Sequence, residues 1–182
     1  MVVVAISGPH GVGKSTVAKS AARRFGLKYV SAGEIFRRLA EERGMDLQEF
    51  SKYVERHPGI DRRIDGYVKK MAGRGNVLVD GRLAGWMIKD ADLKVMLVAP
   101  LEIRVERMVG REGRGYEEVM EETLARERSE KKRFKRLYGI DVDDCSVFDL
   151  VINTGRLSVE EEVTIIGKAI EMIRRRAGGG DR

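Results

Sequence analysis

Residues 2–15 read VVVAISGPHGVGKS, and this stretch decides the fold of the chain. Val2 to Ile6 form a mostly β-branched run bounded by glycine, which is typical of a strand buried on both faces of a parallel sheet. From Lys14 to Phe25 the apolar residues recur at helical spacing instead, and Gly26 follows where a helix C-cap belongs. The stretch therefore predicts a buried strand, a glycine-rich turn and a helix.

The turn between this strand and helix matches the phosphate-binding pattern G-x-x-x-x-G-K-[ST] in full and is called the P-loop below. Glycines let backbone N–H groups converge on phosphate oxygens, and the helix adds the positive end of its dipole. We expect Lys14 to bridge the β- and γ-phosphates of a nucleotide. A glycine-rich turn without a ligand is disfavoured, because a lysine at a helix N-terminus opposes the dipole unless an anion is present. The residues assigned to the nucleotide are Gly8, Pro9, His10, Gly11, Val12, Gly13, Lys14, Ser15 and Thr16.

Asp80 closes a second apolar run, Val77-Leu78-Val79, and is followed by Gly81. A carboxylate at the end of a strand beside a P-loop can hold Mg²⁺ or its water opposite the serine of the loop. An ordinary turn aspartate is the alternative. The two motifs predict ATP and Mg²⁺ as cofactors, with Ser15 and Asp80 as the metal ligands.

The remainder of the chain alternates between strand and helix patterns. Further strands are predicted at 28–30, 76–80, 93–99 and 150–153. Further helices are predicted at 34–43, from 46, at 58–73, 100–111 and 117–137, and from 158. Capping boxes at Asp46-x-x-Glu49 and Ser158-x-x-Glu161 open two of these helices. Such alternation over 182 residues predicts one α/β domain with a parallel sheet.

Composition limits the classes of partner and compartment. Lys+Arg number 35 against 29 Asp+Glu, and this net charge of +6 favours nucleic acid, an acidic membrane surface or small phosphorylated ligands. Cys145 is the only cysteine, which excludes an intrachain disulfide, and with two histidines a Cys/His zinc cluster is absent. No stretch approaches the ~20 apolar residues of a membrane span. We therefore expect a soluble, cytoplasmic protein without a membrane partner.

Arginines are dispersed over several predicted elements. An enzyme that binds two phosphorylated molecules must neutralise several negative charges, and the planar guanidinium fits phosphate oxygens. A switch GTPase is disfavoured, because no N-K-x-D guanine-binding pattern is present. The arginines in question are Arg37, Arg82, Arg107, Arg111, Arg126 and Arg133.

These motifs resemble the nucleoside monophosphate (NMP) kinases, and among them the cytidylate kinases of the compact archaeal type. The resemblance is carried by the P-loop and by Ser31–Arg37, Asp80-Gly81-Arg82, Glu106–Arg111 and Arg126-Glu127-x-x-Glu130-x-x-Arg133. It implies a P-loop NTPase-type three-layer α/β/α fold with a five-stranded parallel sheet, a short helical NMP-binding insertion and a lid. The implied division of the single kinase domain, 1–182, is a core (1–30, 74–107, 138–177), an NMP-binding segment (31–73), a lid (108–137) and a flexible tail (178–182).

The resemblance also implies residue roles. Arg37, Arg82 and Arg133 would bind the α-phosphate of the acceptor, and Glu130 its ribose. Arg107 and Arg111 would cover the base and phosphates of ATP. Arg126 would contact the migrating phosphoryl group, and it is assigned to catalysis together with Lys14 and Asp80.

The chain departs from bacterial cytidylate kinases where those enzymes read the base. Leu83 follows Arg82 where they have an aspartate, and Asp61 falls where they have an arginine. A carboxylate attracts the N4 amine of cytosine and repels O4 of uracil. Asp61 is therefore the candidate base reader, with an ordinary first-turn helix aspartate as the alternative.

The resulting hypothesis is an enzyme, a monomeric cytidylate kinase that transfers the γ-phosphoryl of ATP directly to CMP, and also to dCMP. Alternatives are adenylate, uridylate or shikimate kinase. A P-loop ATPase of RNA or ribosome assembly is a further alternative, for which the basic run 131–136 would be the footprint. A solvated lid helix explains that run equally, so a nucleic-acid partner is not expected.

Overall fold

Five parallel strands form the centre of the molecule in the computed structural model, which describes residues 1–178. The strands are β1 (Val3–Ser7), β2 (Lys28–Ser31), β3 (Val77–Asp80), β4 (Leu93–Val98) and β5 (Leu150–Asn153). Their order across the sheet is β2-β3-β1-β4-β5. Every strand predicted from the sequence is present.

Helices follow the strands throughout the chain. They are α1 (Lys14–Phe25), α2 (Ala32–Glu41), α3 (Leu47–Arg56), α4 (Gly59–Ala72), α5 (Ala84–Met87), α6 (Leu101–Glu112), α7 (Tyr116–Tyr138) and α8 (Val159–Gly178). Two details differ from the prediction. Helix α2 begins two residues early, because the Ser31 hydroxyl accepts the Glu34 N–H and caps it. The short α5 was not predicted.

Helix α8 extends to Gly178, the first residue of the predicted flexible tail (178–182). The rest of the predicted tail, 179–182, lies outside the described residues.

Helices cover both faces of the sheet, which is why β1 is apolar at every inner position. Val4 and Ile6 pack into the cluster that contains α1 and α8. Ala5 points the opposite way and packs with Val68 of α4 and Val79 of β3. The three-layer α/β/α fold predicted from the sequence is confirmed.

Two helical units have further apolar clusters of their own beside this core. Helices α2 to α4 pack around Phe50 and Val54, while Val68 of α4 also packs on the sheet. Helices α6 and α7 pack around Val105 and Val119. Each unit therefore has its own packing and does not depend only on the sheet.

The sheet brings the two chemical motifs to one edge. In the parallel register Ile6 of β1 pairs with Asp80 of β3, so the P-loop and Asp80 leave the sheet side by side. β1 lies between β3 and β4, where the strand order reverses, and open α/β sheets bind ligands at the carboxyl ends of strands at such a point. Within residues 1–178, no helix has both the length and the apolar content needed to cross a membrane.

Candidate active site

The P-loop forms a tight backbone cradle between β1 and α1. Gly11 has φ +73°, and a Cβ atom there would lie 2.5 Å from the Arg104 carbonyl oxygen. No other residue type fits this close approach. The loop therefore presents backbone groups at the N-terminus of α1, where an anion is favoured.

Lys14 folds back over the loop, and its Nζ donates a hydrogen bond to the Pro9 carbonyl at 2.9 Å. Burial lowers the pKa of Lys14 to about 8, although Asp80 acts in the opposite direction. A half-buried ammonium with one carbonyl partner still has donor capacity for phosphate oxygens.

Asp80 is buried and accepts hydrogen bonds from three hydroxyl groups at one oxygen, Oδ2. The Ser15 hydroxyl lies at 2.8 Å, the Tyr29 hydroxyl at 2.9 Å and the Ser31 hydroxyl at 3.4 Å. Mg²⁺ prefers oxygen ligands and is commonly held by one or two carboxylates plus substrate phosphates and water. The Ser15–Asp80 pair fits that donor set. Residues 1–178 contain no group of three His, Cys, Asp or Glu side chains able to hold a metal ion.

Helices α6 and α7 hold the P-loop from outside through a partly buried ion pair. The Arg104 guanidinium donates to the His10 carbonyl at 2.8 Å and to Glu127 Oε1 at 2.6 Å. The sequence analysis assigned no role to Arg104 or to Glu127. The available signal was a cation on the apolar face of α6, where Arg104 is buried together with Val105 and Met108.

The two arginines predicted for ATP differ in their contacts. Arg107 donates to the Thr154 hydroxyl at 2.9 Å and to the Thr154 carbonyl at 2.6 Å, which holds it beside the P-loop residue Val12. Arg111 is exposed and pairs with Glu112.

Glu130 lies in a network with His10 and Arg82. His10 Nε2 is 2.9 Å from Glu130 Oε1, and Arg82 Nε is 3.2 Å from Glu130 Oε2. Burial alone would raise the pKa of Glu130, but His10, Arg82 and Arg126 outweigh it and hold the pKa well below its usual range. The residue predicted to bind ribose is thus an ionised carboxylate that joins the P-loop to α7.

Asp61 and Arg133 form a buried ion pair, with Arg133 Nε 3.0 Å from Asp61 Oδ2. The sequence analysis assigned them to different parts of the acceptor, whereas the structure joins them. Asp65 lies one turn further along α4 and accepts a hydrogen bond from the Tyr138 hydroxyl at 2.6 Å. Burial raises the pKa of Asp65 to about 6. Asp65 was missed, although its i+4 spacing from Asp61 was a usable signal.

Two cavities meet beside the P-loop. The larger, of about 1510 Å³, extends along α1, α6 and the segment that enters α8, and it is also lined by α7 and by the turn between α2 and α3. The smaller extends between α2, α4 and α7. Arg126 lies where they join, and its buried Nε has no hydrogen-bond partner within residues 1–178. The residues that line both cavities are His10, Lys14, Ser15, Arg37 and Arg126.

Glu162, in the first turns of α8, was also missed. It is 2% exposed, it lines the larger cavity, and its Oε2 has no hydrogen-bond partner in the described part of the chain. Burial raises the pKa of Glu162 to about 7, although Arg107 acts against the shift. An unpaired buried carboxylate is costly when it is charged.

This shift predicts a pH-dependent stability. Between about pH 4.5 and 7 the folded protein keeps a proton on Glu162 that the unfolded chain has lost, so stability falls as pH rises through this window. Across this window we expect the free energy of unfolding of Glu162→Leu to rise relative to that of the wild type by about 3 kcal/mol. Urea unfolding from pH 4.5 to 8 measures the difference. Glu171→Leu, at an exposed position of α8, serves as the control and should show no such trend.

The fold and the paired cavities define a class of protein. A P-loop on a parallel sheet, with two ligand spaces that meet at Lys14, Arg37 and Arg126, is the arrangement of a P-loop kinase. A family model described as "Cytidylate kinase-like family" matches residues 3–156. The chain belongs to the cytidylate kinase-like family, and the resemblance stated from the sequence is confirmed.

Relatives of similar length support this assignment. A cytidylate kinase of Pyrococcus horikoshii is 48% identical over 169 residues, covering 93% of this chain and 88% of the relative. A cytidylate kinase of Archaeoglobus fulgidus is 48% identical over 170 residues, covering 93% and 94%. One from Methanocaldococcus jannaschii is 44% identical over 177 residues, covering 95% and 99%.

Solved structures support the fold. A shikimate kinase from Bacteroides thetaiotaomicron matches with a TM-score of 0.61 at 15% identity, covering 93% of this chain and 98% of that one. A gluconokinase from Sinorhizobium meliloti matches with a TM-score of 0.64 at 12% identity, covering 99% and 98%. At these identities the likeness concerns the fold alone.

Proposed function

We propose that this protein transfers the γ-phosphoryl of ATP to CMP, and also to dCMP, giving ADP and the nucleoside diphosphate. The junction of two cavities at Lys14, Arg37 and Arg126 carries the proposal, because it allows two phosphorylated molecules to meet end to end at three cations. Membership of the cytidylate kinase-like family supports CMP as the acceptor.

ATP occupies the larger cavity. Its phosphates lie on the P-loop backbone, where Lys14 exchanges its contact with the Pro9 carbonyl for phosphate oxygens. Arg107 and Arg111 line the same cavity and cover the nucleotide. Ser15 and Asp80 hold Mg²⁺, which supplies charge neutralisation at the phosphates when it is bound.

The acceptor occupies the smaller cavity, where Arg37 and Arg82 bind its phosphate. An acceptor phosphate oxygen attacks the γ-phosphorus while the bond to the β–γ bridging oxygen breaks, and ADP leaves. Lys14 and Arg126 stabilise the charge that builds on the transferring group. No covalent intermediate with the protein is needed, because positioning and charge neutralisation supply the rate.

We assign the helical unit α2 to α4, within residues 31–73, to acceptor binding, and residues 108–137 to a lid. Each unit has an apolar cluster away from the sheet, so its outer helices can move while α4 stays packed on β3 through Val68. Closure excludes water and so prevents hydrolysis of ATP.

The buried Asp61–Arg133 pair lines the acceptor cavity and reads the base. Asp61 offers an acceptor to the N4 amine of cytosine, and Arg133 offers donors to N3 and O2. Uracil presents O4 at the amine position and meets repulsion from the carboxylate. Arg133 thus takes a role at the base instead of the phosphate, and Glu130 remains assigned to the ribose.

Asp61→Asn is expected to narrow the preference for CMP over UMP in kcat/KM by about ten- to a hundredfold, because a charge-assisted hydrogen bond is lost. The KM for ATP should stay unchanged. Asp65→Asn is the matched control, since the Asp65 carboxylate is already bonded to Tyr138. A loss of preference in the Asp65 variant alone would transfer base reading to Asp65.

The function itself is tested by a coupled ADP-release assay with CMP, dCMP, UMP, AMP, GMP and shikimate. We expect CMP to give the highest kcat/KM, followed by dCMP. AMP, UMP or shikimate as the preferred acceptor would contradict the proposal.

The alternative of an RNA-directed ATPase is weakened by the contacts that the basic run 131–136 makes within the protein. Arg133 is buried against Asp61, Lys131 pairs with Asp143, and Arg136 donates to the Glu55 carbonyl. Lys132 and Lys135 are exposed, so three of the five cations of the run are engaged within the protein. The cytoplasmic location and the monomeric state stay predictions.

A further inference from the structure

Glu162 is a buried acid that the transfer mechanism above does not use. Glu162 is 2% exposed, and its Oε2 has no hydrogen-bond donor among the described residues. Buried polar atoms are almost always hydrogen-bonded. A carboxylate oxygen without a partner at a cavity wall therefore indicates that a bound ligand supplies the hydrogen-bond donor. Glu162 lines the larger cavity.

The surroundings of Glu162 fit a planar base better than a phosphate or a metal ion. The same part of the wall contains Arg107, held in place by Thr154, and the apolar side chains of Leu157 and Val159. Arg107 is close enough to oppose the rise in the pKa of Glu162, and it is the charged group that faces this carboxyl. A guanidinium and apolar side chains can stack on a base, whereas a carboxylate repels phosphate.

The position of the cavity also orients the nucleotide. Its phosphates are held at the P-loop end, beside Lys14, and the acceptor approaches from the side of Asp80 and Arg82. The nucleoside of the donor therefore extends the other way, toward α6 and the start of α8. Glu162 stands on that side.

We propose that Glu162 determines the base specificity of the phosphoryl donor, by accepting a hydrogen bond from the exocyclic amine of adenine. This inference rests on the proposed binding of ATP at the P-loop. Because burial raises the pKa of Glu162, its carboxyl group can also keep a proton and donate a hydrogen bond to adenine N1. Adenine presents the amine donor and the N1 acceptor side by side on one edge.

The test compares ATP with purine riboside triphosphate, which lacks only the amine, at saturating CMP. For the wild type we expect kcat/KM for ATP to exceed that for purine riboside triphosphate by about ten- to a hundredfold. In Glu162→Leu this ratio should fall to within a few-fold of one, while the KM for CMP stays unchanged. Glu162→Gln should keep the preference, because its amide oxygen still accepts the amine.

Three results would overturn the inference: equal use of the two donors by the wild type, an unchanged ratio in Glu162→Leu, or a wild-type preference for GTP. Thermal unfolding controls for damage to the fold, and we expect Glu162→Leu to melt no lower than the wild type because an unpaired carboxylate is replaced by an apolar side chain.

Calorimetric binding of ADP and of purine riboside diphosphate needs no acceptor. It tests Glu162 even if CMP were not phosphorylated, so failure of the inference and failure of the proposed function are distinguishable.

Discussion

Replacing Lys14 by methionine is expected to lower kcat/KM by about a hundred- to a thousandfold, the usual effect of removing one preorganised donor from a developing charge. Lys14 lies at the junction of the two cavities, where its Nζ donates one hydrogen bond to the Pro9 carbonyl. No apolar cluster of the protein depends on it. The coupled assay with ATP and CMP measures the loss.

The same variant should fold at least as well as the wild type in the absence of nucleotide. Burial lowers the pKa of Lys14 to about 8, which means that the charged side chain is unfavourable in the folded protein at neutral pH. Lys168→Met, at an exposed position of α8, is the control and should keep full activity. Activity of the Lys14 variant within a few-fold of the wild type would refute the role of the P-loop in transfer.

Arg126→Met is expected to lower kcat by about a hundred- to a thousandfold with small changes in the KM of either substrate. Arg126 lines both cavities, and its buried Nε lacks a hydrogen-bond partner among the residues that the structure describes, so the guanidinium keeps donors for a group that passes between the two ligands. Arg126→Lys should retain part of the activity, because it keeps the charge and loses the planar donor fork. Steady-state kinetics with each substrate varied in turn measures the effect.

Arg128 offers a matched control for this experiment. It lies two residues further along α7 and is exposed, so Arg128→Met should leave kcat unchanged. A rise in both KM values with kcat preserved in Arg126→Met would instead assign Arg126 to ground-state binding.

Local sequence patterns were sufficient for the strands, for the helices other than α5, and for the P-loop. The β-branched run Val2 to Ile6 predicted a central strand, and the capping box at Ser158 predicted the start of α8. Such signals act between residues a few positions apart, where backbone geometry alone determines which side chains meet. The Gly11 turn is decided in the same way, because its backbone φ of +73° favours glycine.

The partners of the charged residues could not be read from those patterns. Ser15 meets Asp80 across 65 positions, Arg133 meets Asp61 across 72, and His10 meets Glu130 across 120. A polar residue in a helix has the same local signature whether it faces solvent, an ion partner or a cavity.

By itself, then, the sequence determined the parallel α/β architecture, the phosphate-binding turn and the family resemblance, because these depend on short-range periodicity and glycine geometry. Tertiary structure alone decided that Asp61 and Arg133 form one buried pair, that Arg126 stands at the junction of two cavities, and that Glu162 is buried without a partner. These properties depend on burial and on contacts between distant segments, which arise only when the helices pack on the sheet.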